Sequence, residues 1–219
     1  MSFVDCAQDF TRKESLPEKK KRVAKVVKYL KSEFPNAKIA LKYNDPIQLL
    51  VAVILSAQCT DKKVNEVTES IFKKYKTAAD FASLSQNQLE KLVHSCGFYR
   101  NKAKNILAAC KIIQLKFKGI LPKTMAEILT LPGVARKTAN VVLGNAYGVV
   151  EGIAVDTHMI RLNQKLGFTK EFDPVKIEHD LMQIIPKKEW FSYTYRIINY
   201  GRNICPARHK KCECELYKI

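Results

Sequence analysis

The chain has 219 residues, 47% of them hydrophobic, which suits one large folded domain or two small ones with a real core. Against 21 Asp and Glu stand 38 Lys and Arg, a formal charge of +17 that points to a polyanion and most simply to nucleic acid. Most of these cations are lysines, so a merely solvated basic surface is the plainer alternative. The N-terminal MSFVDCAQDFTRKES lacks the apolar core of a signal peptide, and the longest apolar run, residues 47–57, is too short to cross a bilayer. Seven cysteines, odd in number and unevenly spread, do not form a secreted disulfide framework. An intracellular protein is expected, cytoplasmic (at the nucleoid) if the source is bacterial.

In chain order, helix signals dominate and no alternating strand stands out. Ser15-Leu-Pro-Glu18 reads as a capping box, followed by Val23, Val26, Val27 and Leu30 at helical spacing. Asn44-Asp45-Pro46 opens a helix so apolar that it predicts burial on all sides. Asp61 is the expected cap of the next, with Val64, Val67, Ile71 and Phe72 on one face. Ser85 starts a helix ending at Gly97, and residues 100–119 supply a longer one. Thr124 and Glu127 form a second capping box. Helices are then expected over 136–147, from the Asp156 cap to Gly167, from Asp173-Pro174 to Pro186, and over 187–200 with Gly201 closing the last. The fold class is therefore all-α, with residues 148–153 as the seam between two lobes.

Residues 131–138, LPGVARKT, carry the most chemistry. A tight Pro-Gly turn between two helices is a helix–hairpin–helix pattern, with Gly133 at the bend. The following helix then presents N–H groups, near Val134 and Ala135, to an outside anion such as a DNA phosphate. Lys137 sits at the positive end of that helix, where an amine loses its proton more readily; partial burial would act the same way.

LPGVARKTANVVLGNAYG with IAVDTHMIRL, LLVAVILSAQCTDKKVN (49–65) and CGFYRNKAKNI (96–106) resemble blocks of the endonuclease III family of DNA glycosylases with AP-lyase activity. The similarity runs from about residue 20 to 205, in order. It implies a two-lobed helix–hairpin–helix glycosylase fold: an N-terminal extension over 1–14, a six-helix barrel lobe over 40–149, and a second helical lobe from 15–39 with 150–219. It also implies a monomer that acts on duplex DNA containing damaged bases or abasic sites.

By the same resemblance Lys137 is the amine nucleophile and Asp156 its carboxylate partner. Without it, Lys137 reads as one solvated lysine among many and Asp156 as a helix cap. Relatives that remove adenine typically lack the lysine, so its presence implies a bifunctional enzyme. Gln58 and Phe98 fall where the family inserts side chains into the duplex; their plain readings are a helix-end amide and a core aromatic. Asp61, Arg136 and His158 lie near the pocket by block membership, and Lys102 and Lys104 fall on the phosphate track. Ala135 departs from the pattern, which usually has a second glycine there.

The family closes with C-x6-C-x2-C-x5-C around a 4Fe-4S cluster. Here Cys205 and Cys212 keep the first gap, Cys214 comes one residue early, and the fourth cysteine is missing. No bound cofactor is the first expectation; a cluster on three thiolates, or zinc with His209, are the alternatives. Trp190, Phe191, Tyr193 and Tyr195 would then hold that lobe by packing, and Arg208 with its basic neighbours would touch phosphates. The function expected is removal of oxidised pyrimidines with nicking of the abasic strand. A glycosylase for oxidised guanine, or a non-catalytic nucleic-acid-binding module, are the other readings.

Overall fold

The computed structural model describes residues 14–208 and 215–219, and every described element is helical. The chain divides into two compact units, one spanning Ala40–Glu151 and the other combining the chain up to Ile39 with Gly152–Ile219.

The 40–151 unit is built on α2 (Pro46–Ser56). Asp45 caps it, its carboxylate accepting from the Ile47 and Gln48 amides at 2.8 and 3.0 Å. Every residue from Ile47 to Leu55 is buried, and all but Gln48 are apolar. Gln48, its one long polar side chain, is satisfied inside: it donates to the Phe72 carbonyl at 3.2 Å and accepts from the Asn44 amide at 2.9 Å. Around α2 stand α3 (Asp61–Lys74), α6 (Tyr99–Phe117) and α8 (Arg136–Tyr147), each packed against it. Three short helices complete the unit: α4 (Ala78–Ala82), α5 (Gln86–Val93) and α7 (Met125–Ile128).

Several boundaries differ from the sequence reading. The cap of α3 is Thr60, whose hydroxyl accepts from the Lys63 amide, and Asp61 is already the first helical residue. Helix α4 went unforeseen although Thr77 and Asp80 make a complete capping box, because five residues are too few for a periodic apolar face. A single turn of 3₁₀ helix, His94–Cys96, follows α5, and α6 begins one residue early, at Tyr99.

The second unit contains α1 (Leu16–Glu33), α9 (Thr157–Lys165), α10 (Pro174–Ile184) and α11 (Trp190–Asn203). Val23, Val26, Val27 and Leu30 pack with Met159, Leu162, Ile177, Leu181, Tyr193 and Tyr200 in one core. Full burial of each such side chain contributes about 1.5–3 kcal/mol. Buried tyrosines need polar partners, and Tyr193 donates to Asn163 Oδ1 at 2.6 Å. Trp190 donates its ring N–H to the Ile185 carbonyl at 2.8 Å, and Phe191 meets Tyr195 edge to face at 5.2 Å. The N-terminal side is tied in by Arg22, which pairs with Glu14 at 2.8 Å, donates to the Leu166 carbonyl and lies over the Phe168 ring.

Gly201 does not close the last helix. Helix α11 runs through it to Asn203, and the reason for a glycine is packing: a Cβ there would collide with the His158 ring and press on Leu162.

Candidate active-site and DNA-contact residues

Helix α8 follows the hairpin directly. Gly133 has φ +79, and a Cβ built on it would stand 2.8 Å from Asn105 Cβ on α6, so both backbone and space require glycine. Val134 is buried and its amide is already committed, donating to the Leu131 carbonyl at 3.2 Å. It therefore does not serve as the free anion donor expected of it. Ala135, extended and exposed, occupies the N-cap without a side-chain acceptor. Ala135 thus offers the first α8 turn no side-chain acceptor, at the positive end of the helix dipole. Arg136 and Lys137 are the first two helical residues. The Lys137 side chain is exposed, so the partial burial expected to help deprotonate it is absent from the protein alone.

Gln58 and Phe98 share an unusual trait. Both are exposed, Phe98 to 67%, and both have left-handed backbone, with φ of 51° and 46°. Phe98 is therefore no core aromatic. Non-glycine residues adopt this conformation at a cost of about 1–2 kcal/mol, and such strain clusters at functional sites. Helix α3, which follows the Gln58 turn, packs against the 3₁₀ turn that precedes Phe98. Asp61 stands partly buried at the start of α3, after the Gln58 turn.

Lys102 does not lie on a phosphate track. It is buried, and its ammonium donates to the Cys96 carbonyl at 2.5 Å. Burial pushes its amine below the ordinary lysine range, opposed by the thiols of Cys59 and Cys96. Lys104, on the same helix, is exposed and free to meet a phosphate.

In the other unit Asp156 caps α9, its Oδ1 accepting from the Met159 amide at 2.8 Å. Capping uses one oxygen and orients the carboxylate, which leaves Oδ2 for other chemistry. Half-buried His158 is packed against Gly201.

Residues 51–187, which include Lys137, Asp156, Gln58 and Phe98, match the model of the HhH-GPD superfamily base excision DNA repair proteins. Endonuclease III of Synechocystis sp. is 50% identical over 202 residues, 92% of either chain, and that of Bacillus subtilis is 44% identical over 188 residues, 85% of either chain. The chain belongs to the endonuclease III family. In three dimensions it is similar to a solved trapped endonuclease III–DNA covalent intermediate, with a TM-score of 0.85 at 42% identity, covering 90% of this chain and 93% of that one. The all-α, two-lobed glycosylase fold follows from these matches.

For a member of this family the C-terminal cysteines are the departure. Cys205 is fully buried; its thiol accepts from Arg161 Nη1 at 3.4 Å and lies 3.5 Å from the Tyr217 hydroxyl. Cys212, Cys214 and His209 fall outside the described residues, as do residues 1–13. Cys59, Cys96 and Cys110 all belong to the 40–151 unit, where Cys96 and Cys110 are fully buried. A four-cysteine cluster needs a donor beyond Cys205, Cys212 and Cys214.

Proposed function

We propose that the chain excises oxidised pyrimidines from duplex DNA and then cleaves the abasic strand, with Lys137 as nucleophile and Asp156 as its carboxylate partner. Glycosylase and AP-lyase chemistry in base excision repair is the activity of the family. The observation that carries the residue assignment is the placement of Lys137: second residue of a helix whose N-cap supplies no side-chain acceptor, directly behind a Pro-Gly hairpin.

The hairpin and the first α8 amides hold a phosphate of the damaged strand. The neutral Lys137 amine attacks C1′ of the lesion nucleotide, the C1′–N bond breaks, and the base leaves with the electron pair. The secondary ammonium gives up one proton, the C1′–O4′ bond breaks with O4′ taking up a proton, and the protonated Schiff base so formed allows loss of a C2′ proton with β-elimination of the 3′ phosphate. Water hydrolyses the imine and returns the lysine. Since Lys137 is exposed in the protein, the desolvation that favours its neutral form comes from DNA closing over it. Asp156 Oδ2 takes the proton or steadies positive charge on the sugar, while Oδ1 stays on the α9 amide.

Gln58 and Phe98 fill the gap left by the flipped nucleotide. Their exposure on left-handed turns supports this reading. By block membership Arg136, His158, Asp61 and Lys104 are further candidates for contact with DNA.

Borohydride trapping on abasic-site DNA tests the assignment. A covalent adduct is expected from the native chain and not from Lys137→Gln. Absence of any adduct with the native protein would refute the lyase mechanism.

A further inference from the structure

Lys102 is a buried charge to which the reaction gives no task. Only 5% of the residue is exposed, and among the described residues no carboxylate pairs with it. Taking an ammonium out of water is unfavourable unless its hydrogen bonds are replaced. An unbranched apolar side chain would fill the same space without that cost.

What the ammonium does is local. It donates to the Cys96 carbonyl at 2.5 Å, while the Lys102 backbone N–H donates to the Phe98 carbonyl at 3.2 Å. One residue therefore grips the carbonyls on either side of Gly97. The first of them ends the 3₁₀ turn, where a carbonyl carries partial negative charge and suits a cation. Between the two grips the chain takes two successive positive-φ steps, Gly97 at 58° and Phe98 at 46°. A Cβ on Gly97 would meet nothing within 4 Å, so glycine serves the backbone alone there. At Phe98 the same region is strained, and such strain persists only where surrounding contacts over-determine it. The stacked rings of His94 and Tyr99, 4.5 Å apart, join the two ends of the same turn.

We propose that Lys102 is a positioning residue for DNA binding: its buried ammonium, fixed on the Cys96 carbonyl, locks the Gly97–Phe98 turn and holds the Phe98 ring ready to enter the duplex. The proposal rests on the reading of Phe98 as a side chain that fills the gap. Lys102 acts without touching DNA. It orders the turn in advance, so that binding does not have to.

A double-mutant cycle of Lys102→Met and Phe98→Ala tests the brace. The full chain is titrated with duplex carrying a tetrahydrofuran abasic analogue opposite 2-aminopurine. Methionine keeps the unbranched stem and removes the charge, so denaturation should find this variant at least as stable as the native chain. Each single variant should weaken binding severalfold and blunt the 2-aminopurine fluorescence change. In the Phe98→Ala background Lys102→Met should weaken binding no further, because no ring is left to position. Equal loss from Lys102→Met in both backgrounds, as a packing role or a phosphate contact would give, overturns the proposal. Full affinity in Lys102→Met beside weakened Phe98→Ala also overturns it and leaves Phe98 as the gap-filling residue. Full affinity in Phe98→Ala refutes the reading of Phe98 itself and takes the brace with it.

Discussion

In the 40–151 unit Gln58 and Phe98, like Lys118 at the end of α6, occupy backbone that suits glycine, and in the other unit a glycine occupies backbone that suits any residue. Gln58 and Phe98 hold exposed side chains on left-handed turns. Gly201 lies inside α11, where glycine costs roughly 0.5–1 kcal/mol relative to alanine. The first unit accepts strain to keep a side chain in solvent, whereas the second gives one up so that α11 can lie close against α9. Exposed strain has no benefit for packing: at Lys118 it closes α6, and at Gln58 and Phe98 it falls on the two side chains proposed to enter DNA. A buried glycine against a ring has every benefit for packing, and so marks architecture. The ring that Gly201 accommodates, His158, stands two residues beyond Asp156, the cap of the same helix.

The largest effect should come from Lys137→Gln, which removes the reactive amine from an exposed position. Trapping and strand cleavage should fall to background while stability stays within about 0.5 kcal/mol of the native chain. A variant that still forms the borohydride adduct would move the nucleophile elsewhere. Next comes Gly201→Ala. Its Cβ has no room beside His158, so either the ring or α11 must shift, at a cost of about 1–3 kcal/mol in chemical denaturation. Equal stability of alanine and glycine there would mean that the ring swings aside freely, and the architectural half of the contrast would fail.

Gly133→Ala probes a position with both features. Left-handed φ and the nearby Asn105 side chain each oppose a methyl group, so stability should drop by roughly 1–2 kcal/mol. The hairpin amides should move with it. Affinity for abasic duplex is therefore expected to weaken at every salt concentration, with a shallower salt dependence if one phosphate contact is lost. Unchanged affinity in the destabilised variant would separate the hairpin from DNA binding.

How much of this the sequence carries depends on how local the cause is. Caps and apolar spacing lie within a few residues of one another, so the boundaries at Asp45, Thr124, Asp156 and Asp173 are readable directly. Thr60 in place of Asp61 shows the limit: adjacent residues can both cap, and only the hydroxyl's contact with Lys63 N decides. Gly201 looked like a helix terminator because a glycine's cause is invisible until its neighbour, His158, is brought in by folding. Lys102 looked like a DNA contact because nothing in the sequence says that its ammonium reaches the Cys96 carbonyl. Residue blocks could nominate Gln58 and Phe98, yet their left-handed backbone could not be foreseen at residue types that disfavour it.

The smallest effect discriminates best. Phe98→Gly relieves a left-handed backbone worth about 1–2 kcal/mol but adds roughly 0.5–1 kcal/mol of unfolded-chain entropy. Because 67% of the residue is already exposed, little burial is lost. Net stability should therefore rise slightly or hold. Phe98→Ala removes the same ring but keeps a Cβ on the strained backbone, so the glycine variant should be the more stable of the two by about 1 kcal/mol. Both should lose affinity for lesion duplex to a similar degree, since both lose the ring that stacks in the gap, an interaction worth about 1–3 kcal/mol. Measuring denaturation and duplex affinity for the pair separates what the turn costs from what the ring does. If alanine were as stable as glycine, the turn would carry no strain; if affinity held in both, the exposed ring would have no partner in DNA.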